Sequence, residues 1–189
     1  LRKTIAVYIL IIISEISLPA RPGWQRNDNR PLAVILDSLD APPDSLYLLI
    51  DKSDYKLYVQ KGTCIIKEYP VVFGGNPKDD KLMQGDQCTP EGTFYMKSKY
   101  PHNRWSKFIW INYPNQDSWV KHAAAKNRGV IPQGASIGGQ IGIHGVPQGY
   151  DSLINQKKNW TLGCISMRNR DVEEIYSFIN EQTCIIIRK

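Results

Sequence analysis

Residues 46–73, which read LYLLIDKSDYKLYVQKGTCIIKEYPVVF, decide the fold. Runs rich in aromatic and β-branched residues alternate there with short polar or glycine-containing segments at 51–54 and 61–62. Short runs bounded by turn-forming residues are typical of antiparallel strands. Similar runs occur at 94–97, 108–111, 140–143 and 184–187. The chain is therefore predicted to be mainly β.

The region after Cys164 changes to a helical period. Apolar residues recur there at spacings of three and four, which places them on one face of a helix. They are Val172, Ile175, Tyr176 and Ile179. This pattern predicts one clear helix, with Asn169 as its N-cap. Short helical turns are also expected at 119–126, ending before Gly129.

The N-terminal 20 residues indicate export. Arg2 and Lys3 precede an apolar run over 5–13, and small residues follow it. This order is typical of a secretory signal, and the run is shorter than the roughly 20 residues of a membrane-spanning helix. We expect 1–20 to be a signal peptide or an N-terminal membrane anchor, placing the protein in the periplasm or cell envelope; a buried strand is the alternative.

Domain boundaries follow from composition. Pro, Gly and Asn are frequent over 21–45, which predicts a linker containing a short apolar element at 32–36 that packs on the domain. The 189-residue chain then leaves one domain at 46–189. Its net charge of +6 is scattered and no nucleic-acid-binding motif is present, so we expect no nucleic-acid partner. The charge fits an acidic wall polymer or simple solubility.

Four cysteines occur in the chain. Cys64 and Cys184 lie in similar strand-like runs, which predicts apolar core positions, although a disulfide between them is an alternative. The interpretation of Cys88 stays open. Cys164 differs, because it follows Gly163 and precedes the predicted helix.

Cys164 and His144 together suit nucleophilic catalysis. A thiol is a weak nucleophile at neutral pH, and an imidazole within hydrogen-bond reach can take its proton and return it to a leaving amine. Backbone N–H groups near Cys164 could stabilise an oxyanion, and a carbonyl just after His144 could orient the ring. Either residue alone would more often be structural.

The spacing of these residues resembles that of the L,D-transpeptidases, the YkuD-like catalytic domain. Sixteen residues separate His144 from Thr161, and Leu162, Gly163 and Cys164 follow (161 − 144 − 1 = 16). Further family-like segments occur in the same order along 46–189. They are LIDKS at 49–53, KLYV at 56–59, YPV at 69–71, GD at 85–86, TPEG at 89–92, INYPN at 111–115, IHG at 143–145 and NRD at 169–171.

The resemblance implies a β-sandwich of mixed sheets and a defined set of roles. Cys164 would be the nucleophile and His144 its base, with the Gly145 carbonyl orienting the ring. Thr161, Gly163 and the Cys164 amide would shape the oxyanion region. The partners would be peptidoglycan stem peptides, joined by 3→3 cross-links, and a wall-anchored protein is a second candidate partner. The resemblance implies no metal or organic cofactor, and we expect a monomer.

Two departures leave alternatives open. The family's usual His before Gly-Cys is Leu162 here, and Ser166 stands where Arg or Asn is common. Both put the acyl acceptor in doubt, so hydrolysis of the same acyl-enzyme and release of a wall-linked protein are alternatives. A non-catalytic wall-binding domain is another. A metallopeptidase is disfavoured, because the three histidines lack metal-ligand spacing.

Overall fold

A computed structural model describes residues 29–189. The predicted signal or anchor at 1–20 and the first part of the linker lie outside these residues. Eight strands are present: β1 (Tyr47–Asp51), β2 (Lys56–Lys61), β3 (Cys64–Val72), β4 (Gly92–His102), β5 (Ser106–Ile111), β6 (Gly142–His144), β7 (Ile165–Met167) and β8 (Cys184–Arg188). The helices are α1 (Leu32–Ser38), α2 (Gln116–Asn127), α3 (Ser152–Asn155) and α4 (Asn169–Tyr176), with a 3₁₀ turn at Pro43–Ser45.

The strands form one closed barrel in the order β1-β2-β3-β7-β6-β5-β4-β8. Strand β8 runs parallel to β1 and antiparallel to β4, so it joins the two ends of the sheet. Strands β6 and β7 form the second parallel pair. The prediction of a mainly β fold is confirmed, but the sandwich is wrong, because pairing of β8 on both sides leaves one continuous sheet.

The barrel interior is filled by aliphatic and aromatic side chains from all eight strands. Helix α1 adds Leu32, Ile35 and Leu36 to this core, each at most 4% exposed. The apolar element in the predicted linker is therefore a helix packed on the domain. No helix within 29–189 is both long enough and apolar enough to span a membrane.

The helices differ in detail from the sequence prediction. Helix α2 has 12 residues, begins with a capping box between Asn115 and Ser118, and is followed by Gly129 at φ +70°. Helix α4 is present as predicted, but Arg168 rather than Asn169 occupies its N-cap position. The Asn169 side chain is used elsewhere, since its Oδ1 accepts a hydrogen bond from Val146 N at 3.0 Å.

The described structure leaves all four cysteines as free thiols. Cys64 and Cys184 are half-buried rather than fully buried, so their predicted core positions are only partly correct. Cys88 is 2% exposed and its thiol donates to the Asp86 carbonyl at 3.3 Å.

Candidate active site

His144 and Cys164 line one cavity of about 990 Å³ at the side of the barrel. Parallel pairing of β6 and β7 brings them together, because His144 ends β6 opposite Ser166 and Cys164 immediately precedes β7. The rest of the wall comes from the 81–87 loop, the β4–β5 hairpin and the 138–141 loop. The two residues that the sequence analysis singled out therefore share one opening.

The tautomer of His144 is fixed by its neighbour. Its Nδ1 lies 2.6 Å from the Gly145 carbonyl oxygen. A carbonyl can only accept, so Nδ1 carries the proton and Nε2 is left as an acceptor. The side chain is 1% exposed, and burial lowers the pKa of His144 to about 4. At neutral pH the ring is an uncharged base.

Aromatic rings enclose His144. The centroid of Trp105 lies 4.4 Å from it at 23°, and Phe108 stacks at 5.6 Å and 10°. Trp160 meets the ring edge-on at 5.5 Å. Trp105 also accepts Gly145 N–H on its carbonyl at 3.0 Å, so the hairpin tip holds both the ring and the backbone of this segment.

Three tryptophans near the cavity carry unpaired donors. Within the described chain, the buried indole Nε1 atoms of Trp105, Trp110 and Trp160 have no hydrogen-bond partner. All three residues line the cavity. The Nε1 atoms themselves are buried, so the three residues contribute ring surface rather than exposed N–H groups to the cavity.

Gly145 leaves no room for a side chain. A Cβ there would lie 2.0 Å from Asn169 Oδ1 and 2.6 Å from the Trp105 carbonyl oxygen. The Gly145 carbonyl also accepts from Ser166 Oγ at 3.2 Å, and Ser166 is fully buried. Ser166 and Asn169 therefore hold the segment that orients His144, a role the sequence analysis did not assign to either.

Cys164 is present as a thiol. Its Sγ donates to the Gln140 carbonyl at 3.5 Å and interacts with the Gly142 backbone. Burial raises the pKa of Cys164 to about 11, although Gly142 and the Lys81 ammonium act in the opposite direction. In this arrangement the thiol hydrogen-bonds to Gln140 rather than to His144.

Thr161 and Gly163 shape the turn that carries Cys164. Thr161 Oγ1 donates to the Cys164 carbonyl at 2.7 Å and accepts from Gly163 N at 3.2 Å. Gly163 has φ +137°, and a Cβ there would lie 2.7 Å from the Cys88 carbonyl oxygen. The Gly163 amide is thus occupied, which leaves the Cys164 amide as the candidate oxyanion donor. Leu162 is 79% exposed in the cavity wall.

Residues 29–189 contain no group of three or more His, Cys, Asp or Glu that could hold a metal ion.

Comparison with solved structures shows the same fold. The helical cell shape determining protein Pgp2 from Campylobacter jejuni matches with a TM-score of 0.55 and 21% identity, over 84% of this chain and 55% of that one. Bd1075 from Bdellovibrio bacteriovorus gives 0.53 and 22%, over 76% and 48%. An L,D-transpeptidase from Mycobacterium smegmatis gives 0.50 and 13%, over 77% and 59%. The chain thus spans about half the length of the first two.

No curated protein sequence matches the chain. The family model of the YkuD L,D-transpeptidase catalytic domain matches residues 45–187, which is most of the chain and nearly all of its described part. The chain therefore belongs to the L,D-transpeptidase catalytic domain family.

Proposed function

We propose that this protein is a peptidoglycan L,D-transpeptidase of the cell envelope. The observation that carries the proposal is the shared cavity of His144 and Cys164, with the Gly145 carbonyl leaving His144 Nε2 free to accept a proton. A half-buried thiol with a raised pKa needs such a base, because almost none of it ionises at neutral pH.

The proposed reaction has two steps. Cys164 Sγ attacks the carbonyl between the diamino acid at position three of a stem peptide and the D-alanine at position four. His144 Nε2 takes the thiol proton and gives it to the leaving amine, so that D-alanine departs and a thioester forms. The Cys164 amide would stabilise the oxyanion. The side-chain amine of a second stem then attacks the thioester, giving a 3→3 cross-link and restoring the thiol.

The cavity wall supports a peptide substrate. Trp105, Trp110 and Trp160 line this wall, and aromatic rings can pack against the apolar parts of a stem peptide. Leu162 and Tyr100 add exposed apolar surface. The structural neighbour Pgp2 is a helical cell shape determining protein, and we extend a role in cell-wall shape to this chain as part of the proposal.

Hydrolysis is a second candidate, and the charge of the cavity favours it. Lys81 lines the cavity, whereas no Asp or Glu among the described residues does. A cationic amine acceptor would therefore meet a like charge and find no carboxylate to bind it. Water as acceptor would give an L,D-carboxypeptidase that trims four-residue stems to three.

A digestion with defined muropeptides tests the proposal. The purified protein is incubated with disaccharide-tetrapeptide, and the products are separated and weighed by mass spectrometry. Cross-linked dimers with loss of D-alanine are expected for transfer. Trimmed monomers alone would replace transfer by hydrolysis, and an unchanged substrate would refute both. Cys164→Ala is the control.

Export is the remaining part of the proposal. Residues 1–20 carry the charge and apolar pattern of a secretory signal. Fusing them to a reporter enzyme that is active only outside the cytoplasm should give reporter activity in cells. An inactive, intracellular reporter would refute export through this segment.

A further inference from the structure

Lys81 is a buried cation in the wall of the catalytic cavity. Its side chain is 3% exposed, although lysine is rarely buried. It is the one Lys or Arg among the described cavity-lining residues. Its Nζ donates to Asp86 Oδ1 at 2.8 Å and to the Met83 carbonyl at 3.1 Å. An ammonium has three N–H groups, so one donor is left after these two contacts.

Asp86 does not depend on Lys81 alone. Its carboxylate also accepts from the backbone N–H groups of Leu82, Met83 and Cys88, at 2.8, 2.9 and 3.0 Å. Burial raises the pKa of Asp86, but the hydrogen bond from Lys81 and these three backbone bonds together lower it. Because Asp86 keeps three backbone partners, Lys81 can bind a second anion without leaving that carboxylate unpaired.

The ammonium and the reacting sulfur belong to one cavity. Lys81 lines the same cavity as Cys164, and its charge acts to lower the pKa of that thiol. The nearby buried Lys52 differs, because its Nζ bonds to Glu91 and to the Asp79 and Thr89 carbonyls, and Lys52 is not among the cavity-lining residues. Two buried lysines in adjacent loops thus have different surroundings, and only Lys81 faces the cavity.

We infer that Lys81 recognises the free carboxylate of the terminal D-amino acid of the stem peptide. This inference rests on the proposed function. In a terminal residue the carboxylate carbon is two bonds from the nitrogen of the bond to be broken. When the carbonyl of that bond is at Cys164, the carboxylate must lie beside it. A spare ammonium N–H in the wall of the same cavity would bind it with a charge-assisted hydrogen bond.

Binding of this carboxylate by Lys81 would make the enzyme selective for stems whose last residue is the D-amino acid to be removed. A stem that is extended by one residue, or capped as an amide, places a neutral amide at the position where Lys81 would bind a carboxylate. The buried ammonium would then be left without its ligand, which costs transition-state binding.

The test compares two substrates on two variants. The substrates are a tetrapeptide stem ending in D-alanine and the same stem ending in D-alaninamide. The wild type should favour the free acid by about tenfold to a hundredfold in kcat/KM, the range of a charged hydrogen bond. In Lys81→Met this ratio should fall to within about threefold of one. An unchanged ratio in Lys81→Met, or a wild-type ratio near one, would overturn the inference.

Lys52→Met is the matched control. It removes a second buried lysine and its ion pair with Glu91, so it should lower stability but keep the acid-to-amide ratio. A ratio lost equally in both variants would mean that the lysines only support the loops, which also overturns the inference. Lys81→Gln keeps a donor to Asp86 and serves the same comparison if Lys81→Met does not fold by circular dichroism.

Failure of the inference differs from failure of the proposed function. If the function is wrong, the wild type cleaves neither peptide and forms no acyl-enzyme at Cys164. If only the inference is wrong, both peptides are cleaved and the ratio does not depend on Lys81.

Discussion

The imidazole Nδ1 of His144 lies 2.6 Å from the carbonyl oxygen of Gly145, the next residue in the chain. This contact needs no distant partner, since the backbone itself supplies the acceptor. The rest of the fold encloses the ring, since Trp105 and Phe108 stack on it. Ser166 and Asn169 hydrogen-bond to the backbone of the Gly145–Val146 segment and hold it in place. The base is thus oriented locally and desolvated by the tertiary structure.

Burial of neutral His144 predicts a loss of stability in acid. Its pKa is about 4 in the folded chain and near 6.5 when unfolded. Between these values the unfolded chain binds a proton that the folded chain does not, so the free energy of unfolding falls as pH drops from 6.5 to 4. The loss amounts to about 3 kcal/mol. Denaturant titrations between pH 6.5 and pH 4 should show that the wild type loses about 3 kcal/mol more unfolding free energy than His144→Gln. An equal loss in the two proteins would mean that folding does not lower the pKa of His144.

The raised pKa of Cys164 predicts slow alkylation at neutral pH. With a pKa of about 11, the reactive thiolate is scarce at pH 7 and increases about tenfold for each pH unit up to pH 10. The iodoacetamide reaction should follow this slope, as measured by peptide mapping that separates Cys164 from the half-buried Cys64. A rate that is already constant at pH 7 would instead indicate a thiolate–imidazolium pair.

Removing Trp105 should expose the base. Trp105→Leu takes away the ring stacked on His144, so water reaches the imidazole and the His144 pKa should rise from about 4 towards 6.5. NMR titration of the ring protons measures this shift. Trp119 is 50% exposed on α2, and Trp119→Leu should leave the His144 titration unchanged. Equal titrations in all three proteins would assign the low pKa to other contacts.

Gly145 cannot accept a methyl group without moving the segment behind His144. Gly145→Ala would place Cβ against Asn169 Oδ1 and the Trp105 carbonyl, and overpacking of this kind costs about 1–3 kcal/mol. We expect a lower melting temperature and reduced acylation of Cys164. A Cβ at Gly134 would meet nothing within 4 Å, so Gly134→Ala should change neither. Matching behaviour of the two variants would contradict the close packing.

Sequence reasoning reached the β class, helix α4 and the two residues of the cavity, because each depends on local pattern or spacing. It missed β7, since three residues are too short for a period to show. The sandwich was what the family resemblance implied, and no local sequence pattern shows that β8 pairs with both β1 and β4. The aromatic residues around His144 could not be predicted either. Trp105 precedes His144 by 39 residues in the sequence (144 − 105 = 39), and only the folded β4–β5 hairpin brings its ring onto the imidazole.

Ser166 illustrates how a departure from a family pattern can be explained by structure. From the sequence it appears only as the absence of the more frequent Arg or Asn. In the fold it is fully buried, and its hydroxyl donates to the same carbonyl that orients His144. An Arg at this position would need a path to solvent that the buried site does not offer.

Covalent labelling of Cys164 tests the central claim most directly. A carbapenem is a strained cyclic amide, and the account predicts that intact-protein mass spectrometry will show one adduct on the wild type, mapped by peptide analysis to Cys164. Cys164→Ala should gain no mass, and His144→Gln should react at least about a hundredfold more slowly. An unmodified wild type under conditions that label a control enzyme, or an adduct on Cys64, Cys88 or Cys184 that persists in Cys164→Ala, would contradict the assignment of Cys164 as nucleophile.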